Sequence, residues 1–121
     1  MEHDLAASHV IAAQELRTHL GRCAARAASR NPDLEVLFTD LDLTTAMSRR
    51  LRVLTILRAR ICSGATWEQI ANHLRIAPST ACALYDEAEQ RWRRGDRAPW
   101  ISPDGDRHPV AGPIDLPPST G

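Results

Sequence analysis

The chain has 121 residues and a formal net charge of zero, because 15 arginines balance 15 acidic residues. Its apolar fraction of 43% suffices for one small domain, but the five aromatic residues leave most of the core to aliphatic side chains. No run of about 18 apolar residues is present, which excludes a membrane-spanning helix, and the acidic start is unlike a signal peptide. Three widely spaced cysteines argue against a disulfide scaffold. We therefore expect a cytoplasmic protein, and its alanine and arginine bias indicates a GC-rich bacterial source.

The neutral total hides a segregation of charge along the chain. Residues 46–77 contain six arginines against Glu68 alone, a net charge of +5, whereas residues 1–45 carry a net charge of −3. A local basic surface attracts polyanions even on a neutral protein. The middle of the chain is therefore the first place to expect contacts with nucleic-acid phosphates.

The first 43 residues are predicted to form an N-terminal helical segment. Apolar residues at three- and four-residue steps predict a long helix from Leu5 to Arg30. Asn31, as N-cap, and Pro32 then predict a short helix that ends near Leu41. The residues expected to face inward are Leu5, His9, Ala13, Leu16, Leu20, Cys23 and Ala27 in the first helix, and Leu34, Leu37, Phe38 and Leu41 in the second.

A second segment, residues 44–95, is predicted to contain three further helices. The first runs from about residue 45 to residue 63, with Thr44 or Thr45 as its cap. Residues 66–69 match a capping box, which predicts a helix over residues 67–74. A proline pre-sets the first turn of the last helix, over residues 78–94, which stops at a glycine. The proline-rich remainder, residues 96–121, is expected to be a largely disordered tail.

The stretch WEQIANHLRIAPSTACAL, residues 67–84, resembles the helix-turn-helix unit of trihelical DNA-binding proteins, including the last DNA-binding region of sigma factors. The resemblance extends over about residues 45–94. It implies an all-α fold with a trihelical helix-turn-helix core, preceded by the long N-terminal helix and the short helix. The residues that match the core of such a unit are Ile70, Ala71, Leu74, Ile76, Ala81 and Leu84.

Two positions depart from the pattern of that family. Arg75 stands where the family usually has a glycine. Glycine is favoured there because the turn needs a positive φ, and an arginine can adopt that conformation at a cost of about 1 kcal/mol. The helix that would meet DNA bears small and acidic side chains rather than basic ones, so affinity would depend on phosphate contacts elsewhere. The expected base-reading residues are Pro78, Ser79, Thr80, Cys82, Ala83 and Tyr85. The expected phosphate contacts are Arg49, Arg50, Arg52, Thr66, Trp67, Arg75, Arg91, Arg93 and Arg94.

The sequence therefore predicts a sequence-specific DNA-binding transcriptional regulator, small and bacterial, plasmid-borne or phage-borne. Double-stranded DNA is its expected partner, with a homodimer through the N-terminal helix and RNA polymerase or another regulator as further candidates. The alternative is a protein-interaction adaptor of the same fold, sigma-like, anti-sigma or antitoxin-like, that does not itself read DNA. Neither C-x-x-C nor H-x₃-H spacing occurs, so no metal site, cofactor or catalytic residue is expected.

Overall fold

A computed structural model describes residues 2–97 and residue 100, and four α-helices account for most of them. Helix α1 spans Glu2–Ala27, α2 spans Leu34–Ile61, α3 spans Trp67–Leu74 and α4 spans Pro78–Arg93. This described part contains no strand, so the expected all-α class is confirmed. The predicted tail lies outside it, apart from residues 96, 97 and 100.

Helix α2 is one continuous helix of 28 residues, where the sequence pattern predicts two. Its N-cap is Asp33 rather than Asn31, because the Asp33 side chain accepts a hydrogen bond from the Glu35 backbone N–H at 2.9 Å. The break expected at Thr44 and Thr45 is absent. Both hydroxyls donate to carbonyl groups four residues earlier, at 2.7 and 3.1 Å, and are thereby satisfied inside the helix. The predicted domain boundary beside Thr44 falls within α2.

Helices α1 and α2 pack against each other as an antiparallel hairpin. Near the start of α1, His9 Nε2 lies 3.0 Å from Thr55 Oγ1, in the second half of α2. Near the end of α1, Arg26 Nε donates to Asp40 Oδ2 at 2.6 Å, in the first half of α2. The N-terminal helix therefore covers α2 of its own chain.

The face that α1 buries differs from the predicted one. Leu5, Ala12 and His19 are buried at seven-residue intervals, whereas Ala13 is exposed and Leu20 is 47% exposed. Apolar residues occur all around this helix, so their periodicity alone does not select a face. A histidine can occupy the buried position 19 because the Asp40 carbonyl and the Thr44 hydroxyl, both on α2, form hydrogen bonds with its ring.

The first turns of α2 also differ from the expectation. Leu34, Phe38 and Leu41 are 68%, 64% and 57% exposed, although all three were expected to face inward. Asp40 and Met47 form the buried face of this part of α2. Leu34, Phe38 and Leu41 follow one another at steps of four and three residues and therefore lie on the opposite face of the helix. An uncharged apolar strip thus remains uncovered at the start of α2.

The main core lies between the second half of α2, helix α4 and the start of α1. Trp92 and Trp100 are its largest members, and the Trp100 Nε1–H donates to the Asp96 carbonyl at 2.8 Å. This core holds α4 against α2. Its buried residues are Leu5, Ala12, Val53, Leu54, Ile56, Leu57, Ile70, Tyr85, Ala88, Trp92 and Trp100.

Candidate nucleic-acid interface

Helix α3 begins and ends on local signals that the sequence displays. The Thr66 side chain accepts from the Gln69 N–H at 3.1 Å, and the Gln69 side chain accepts from the Thr66 N–H at 2.9 Å, which is the predicted capping box. Arg75 then adopts a left-handed conformation, with φ 60° and ψ 44°. The Ile76 N–H closes the helix end by donating to the Ala71 carbonyl at 3.1 Å. The chain therefore turns sharply within three residues between α3 and α4.

The first turn of α4 is open to solvent. Pro78, Ser79, Thr80 and Ala83 are exposed, and Cys82 is half-buried. No side chain caps this helix, and its first turn contains no acidic residue. Free backbone N–H groups and the positive end of the helix dipole therefore face outward, which favours a nearby anion.

Tyr85, one of the expected base-reading residues, is a core residue. It is completely buried, and its hydroxyl accepts a hydrogen bond from Arg52 Nε at 2.7 Å. The reason is helical phase, because Ala81, Tyr85, Ala88 and Trp92 recur at steps of four, three and four residues and are all buried. The assignment of Tyr85 to base reading is therefore wrong.

The residues expected in the core of this unit lie inward to different degrees. Ile70, Ala71 and Ala81 are buried, so the two short helices approach each other across small side chains. The remaining three are half-buried and form the rim of this contact: Leu74, Ile76 and Leu84.

Arg50 is almost completely buried and cannot contact a phosphate in this structure. It is 2% exposed, and its guanidinium lies 3.1 Å from a carboxylate oxygen of Glu15 on α1. The unbroken α2 places Arg50 on the face that packs inside the molecule. The expected phosphate contact is thus corrected to an internal ion pair. Its neighbour Arg49 is half-buried and has an interaction partner, and Arg52 is exposed but held by Tyr85.

Four arginines lie around α3 and α4, and they differ in how far they are neutralised. Arg75 and Arg94 are exposed and have no side-chain partner among the described residues. Arg91 is paired with Asp96, and Arg93 is paired with a carboxylate of α4 itself. The basic field on this surface is consequently weaker than the arginine count suggests, and Arg75 and Arg94 are its most available charges.

A network that sequence reasoning did not identify fixes the positions of α3 and α4. The Arg60 guanidinium stacks on the Trp67 ring at 4.3 Å, donates to the Ala65 carbonyl at 3.0 Å and pairs with Glu89 at 2.9 Å. Arg93 donates to the same carboxylate. Burial alone would raise the pKa of Glu89, but the hydrogen bonds from both arginines lower it below its ordinary value. Trp67, expected at a phosphate, is half-buried within this network, and Thr66 is exposed at the start of α3.

A second polar cluster occupies the α1–α2 hairpin. His19, Cys23 and Asp40 bring a ring nitrogen, a sulfur and a carboxylate oxygen within 4.8 Å of one another. The sequence contains one signal for it, because His19 and Cys23 are four residues apart and therefore share a helix face. This mixed spacing matches neither of the C-x-x-C and H-x₃-H patterns typical of zinc sites, and the Asp40 contribution depends on how the two helices pack.

No protein-family model matches this chain, and no curated protein or solved structure is significantly similar to it. Within residues 2–97 and residue 100, no helix is both long enough and apolar enough to cross a membrane.

Proposed function

We propose that the protein is a DNA-binding transcription regulator in which α3 and α4 form a helix-turn-helix. The observation that carries this proposal is the exposed start of α4, directly after a short capped helix and a left-handed turn residue. Small polar side chains, a missing side-chain cap and outward backbone N–H groups suit an element that approaches phosphates and base edges. In helix-turn-helix proteins the second helix occupies the major groove.

The residues that we assign to base reading are those exposed on the first two turns of α4. Ser79 and Thr80 offer hydroxyl groups, which accept or donate to several base edges, and Ala83 offers a methyl group to a thymine. Pro78 and Cys82 flank them. Arg75 and Arg94 supply the phosphate contacts, with the start of α3 beside them. Hydroxyl and methyl contacts discriminate weakly between bases, so one copy is expected to bind one site with modest affinity.

A second copy of the chain is the partner that would compensate for this modest affinity. The uncovered strip of α2 that contains Leu34, Phe38 and Leu41 continues into Thr45 and Ser48 at helical spacing, and none of the five side chains is charged. An uncharged apolar strip is self-complementary across a two-fold axis, because no like charges meet. We therefore propose that dimerisation uses this strip, rather than the face of α1 that packs on α2.

The DNA-binding proposal is tested by fluorescence anisotropy of the full chain with random-sequence duplex DNA, from about 50 to about 300 mM salt. Affinity should fall steeply with salt. Arg94→Gln should flatten the slope of log K against log salt by about 0.9 if it removes one phosphate contact. Arg30→Gln is the matched control, since Arg30 is exposed in the α1–α2 connection. Absence of binding at the lowest salt and micromolar protein would refute the proposal and favour the adaptor.

The dimer proposal is tested separately by sedimentation equilibrium. The wild-type chain should sediment as a dimer, and Phe38→Glu should convert it to a monomer of unchanged helicity. Val10→Glu, on the first helix and 47% exposed, is the matched control and should leave the dimer intact. A monomeric wild-type protein would refute this assignment of the strip.

A further inference from the structure

The polar cluster in the α1–α2 hairpin consists of donor atoms that suit a metal ion. His19 is 3% exposed and Asp40 is 8% exposed, and Cys23 is half-buried beside them. A nitrogen, a sulfur and an oxygen from these three side chains lie within 4.8 Å of one another. None of the three belongs to α3 or α4. Three convergent donors of different chemistry in a space largely closed to water are more than hydrophobic packing of this hairpin requires.

The distance between His19 and Cys23 agrees with tetrahedral coordination, and the Asp40 carboxylate oxygen lies within 4.8 Å of both. Zinc–nitrogen and zinc–sulfur bonds of about 2.0 and 2.3 Å place the two ligand atoms roughly 3.5 Å apart in a tetrahedral site. His19 Nε2 and Cys23 Sγ are 3.3 Å apart, so a shift of a few tenths of an ångström would accommodate the ion. The Thr44 hydroxyl lies 2.8 Å from the same nitrogen and stands where it or a water can complete the coordination.

We propose that His19, Cys23 and Asp40 bind a divalent transition-metal ion, with Zn²⁺ as the best match to this mixed nitrogen, sulfur and oxygen set. On binding, the Cys23 thiol loses its proton to solvent and its sulfur forms a bond to the metal. His19 contributes the Nε2 lone pair and carries its proton on Nδ1, so that the metal replaces the hydrogen bond between Nε2 and the Asp40 carbonyl, which are 3.2 Å apart. The thiolate and the Asp40 carboxylate together balance the charge of the ion.

Arg26 is compatible with this site and takes a supporting position in it. Its Nε and Nη2 donate to the two oxygens of Asp40 at 2.6 and 2.5 Å. A carboxylate has about four lone-pair sites, so Asp40 can keep these bonds and still present one lone pair to a metal. Such an outer partner orients a ligating carboxylate. Arg26 also places a positive charge beside the ion, which lowers affinity relative to a neutral partner.

Cobalt titration of the full, untagged chain tests the proposal. Co²⁺ bound by a thiolate in a tetrahedral site gives a sulfur-to-cobalt charge-transfer band and strong visible ligand-field bands. We expect both bands to saturate at one equivalent and to disappear on addition of Zn²⁺. Absence of the charge-transfer band in the wild-type chain would overturn the proposal, because a Cys23 thiolate bound to Co²⁺ must produce it.

Substitutions locate the site and keep the test independent of folding. Cys23→Ala should abolish the charge-transfer band while circular dichroism shows unchanged helicity, and Asp40→Asn should weaken binding by at least about tenfold. The matched control is the double variant Cys62→Ala/Cys82→Ala, which keeps Cys23 as its sole cysteine and should retain the band. A band that is lost in the control, or that survives in a folded Cys23→Ala chain, would overturn the assignment.

Discussion

Replacing Arg75 by glycine is expected to stabilise the protein. Arg75 is the residue that ends α3 in a left-handed conformation, with φ 60° and ψ 44°. Its side chain is exposed and has no partner among the described residues, so the substitution removes no internal contact. A non-glycine residue pays about 1–2 kcal/mol for this conformation. Glycine avoids that cost but loses about 0.5–1 kcal/mol more in backbone entropy on folding. The difference predicts a net gain of about 0.7 kcal/mol in the free energy of unfolding, within a range of about 0–1.5 kcal/mol.

The gain is measured by urea and thermal unfolding followed by circular dichroism. For a chain of this size, the expected rise in the midpoint temperature is about 2–5 °C. Arg75→Ala is the matched control, because it deletes the same charge but keeps the Cβ atom that makes the left-handed conformation unfavourable. It should not stabilise the protein. Equal stability of the glycine and alanine variants would refute the reasoning from backbone conformation.

The same two variants separate DNA binding from stability. Both lack the Arg75 charge, so both should bind random duplex DNA more weakly than the wild-type chain and with a flatter salt slope. The glycine variant should do so although it is more stable, which excludes partial unfolding as the cause. Unchanged affinity in both variants would remove Arg75 from the proposed phosphate contacts.

Three further predictions concern the contacts that position the helices. Burial and the positive charge of Arg58 lower the pKa of His9 below its ordinary value of 6.5, so the folded state favours the neutral ring. The free energy of unfolding should therefore be fully retained above pH 6.5 and decrease as the pH falls below it, and His9→Asn should show a smaller decrease in urea titrations at several pH values. Glu89→Gln should cost about 1–3 kcal/mol in urea unfolding, since it leaves two arginines without a carboxylate; no loss would show that the network contributes little. Thr66→Ala should lower stability by about 1 kcal/mol through loss of the cap, with Thr39→Ala, exposed within α2, as the control.

The part of the fold that the sequence predicts best is the part that depends on local chemistry. The capping box at Thr66 and Gln69 and the proline at the start of α4 are both determined by neighbours within a few residues. The left-handed Arg75 was expected from the resemblance to the helix-turn-helix turn, since its own side chain disfavours that conformation. Such local signals set where a helix begins or ends without contacts from the rest of the chain. The bounds of α3 were therefore predicted correctly, and α4 was predicted within one residue at its end.

The parts that sequence reasoning missed depend on distant partners. Arg50 and His19 are polar residues at buried positions, and each has a polar partner on the facing helix. His19 is hydrogen-bonded to Thr44, whereas Arg50 has the Glu15 carboxylate at 3.1 Å, although its guanidinium nitrogens form no hydrogen bond among the described residues. Each partner lies more than 20 residues away along the chain, so no local sequence pattern predicts the contact. Tyr85 was assigned to the surface because Leu84 was expected to face inward in its place, and the buried Tyr85 hydroxyl is satisfied by Arg52 on α2.

Helix α2 connects the two regions for which we propose functions. Its second half holds α4 at two points eight residues apart, through the Arg52–Tyr85 hydrogen bond and the Arg60–Glu89 ion pair. Helix α4, which we propose to enter the major groove, is thus fixed to a continuous helix whose first half carries the apolar strip proposed for dimerisation. At 1.5 Å per residue, α2 is about 42 Å long, while half-sites read by a two-fold dimer lie about 34 Å apart. A dimer contact at the start of α2 would therefore allow the two α4 helices to lie as far apart as two half-sites. Because α2 has no internal break, the angle at that contact would determine which half-site spacing the dimer accepts.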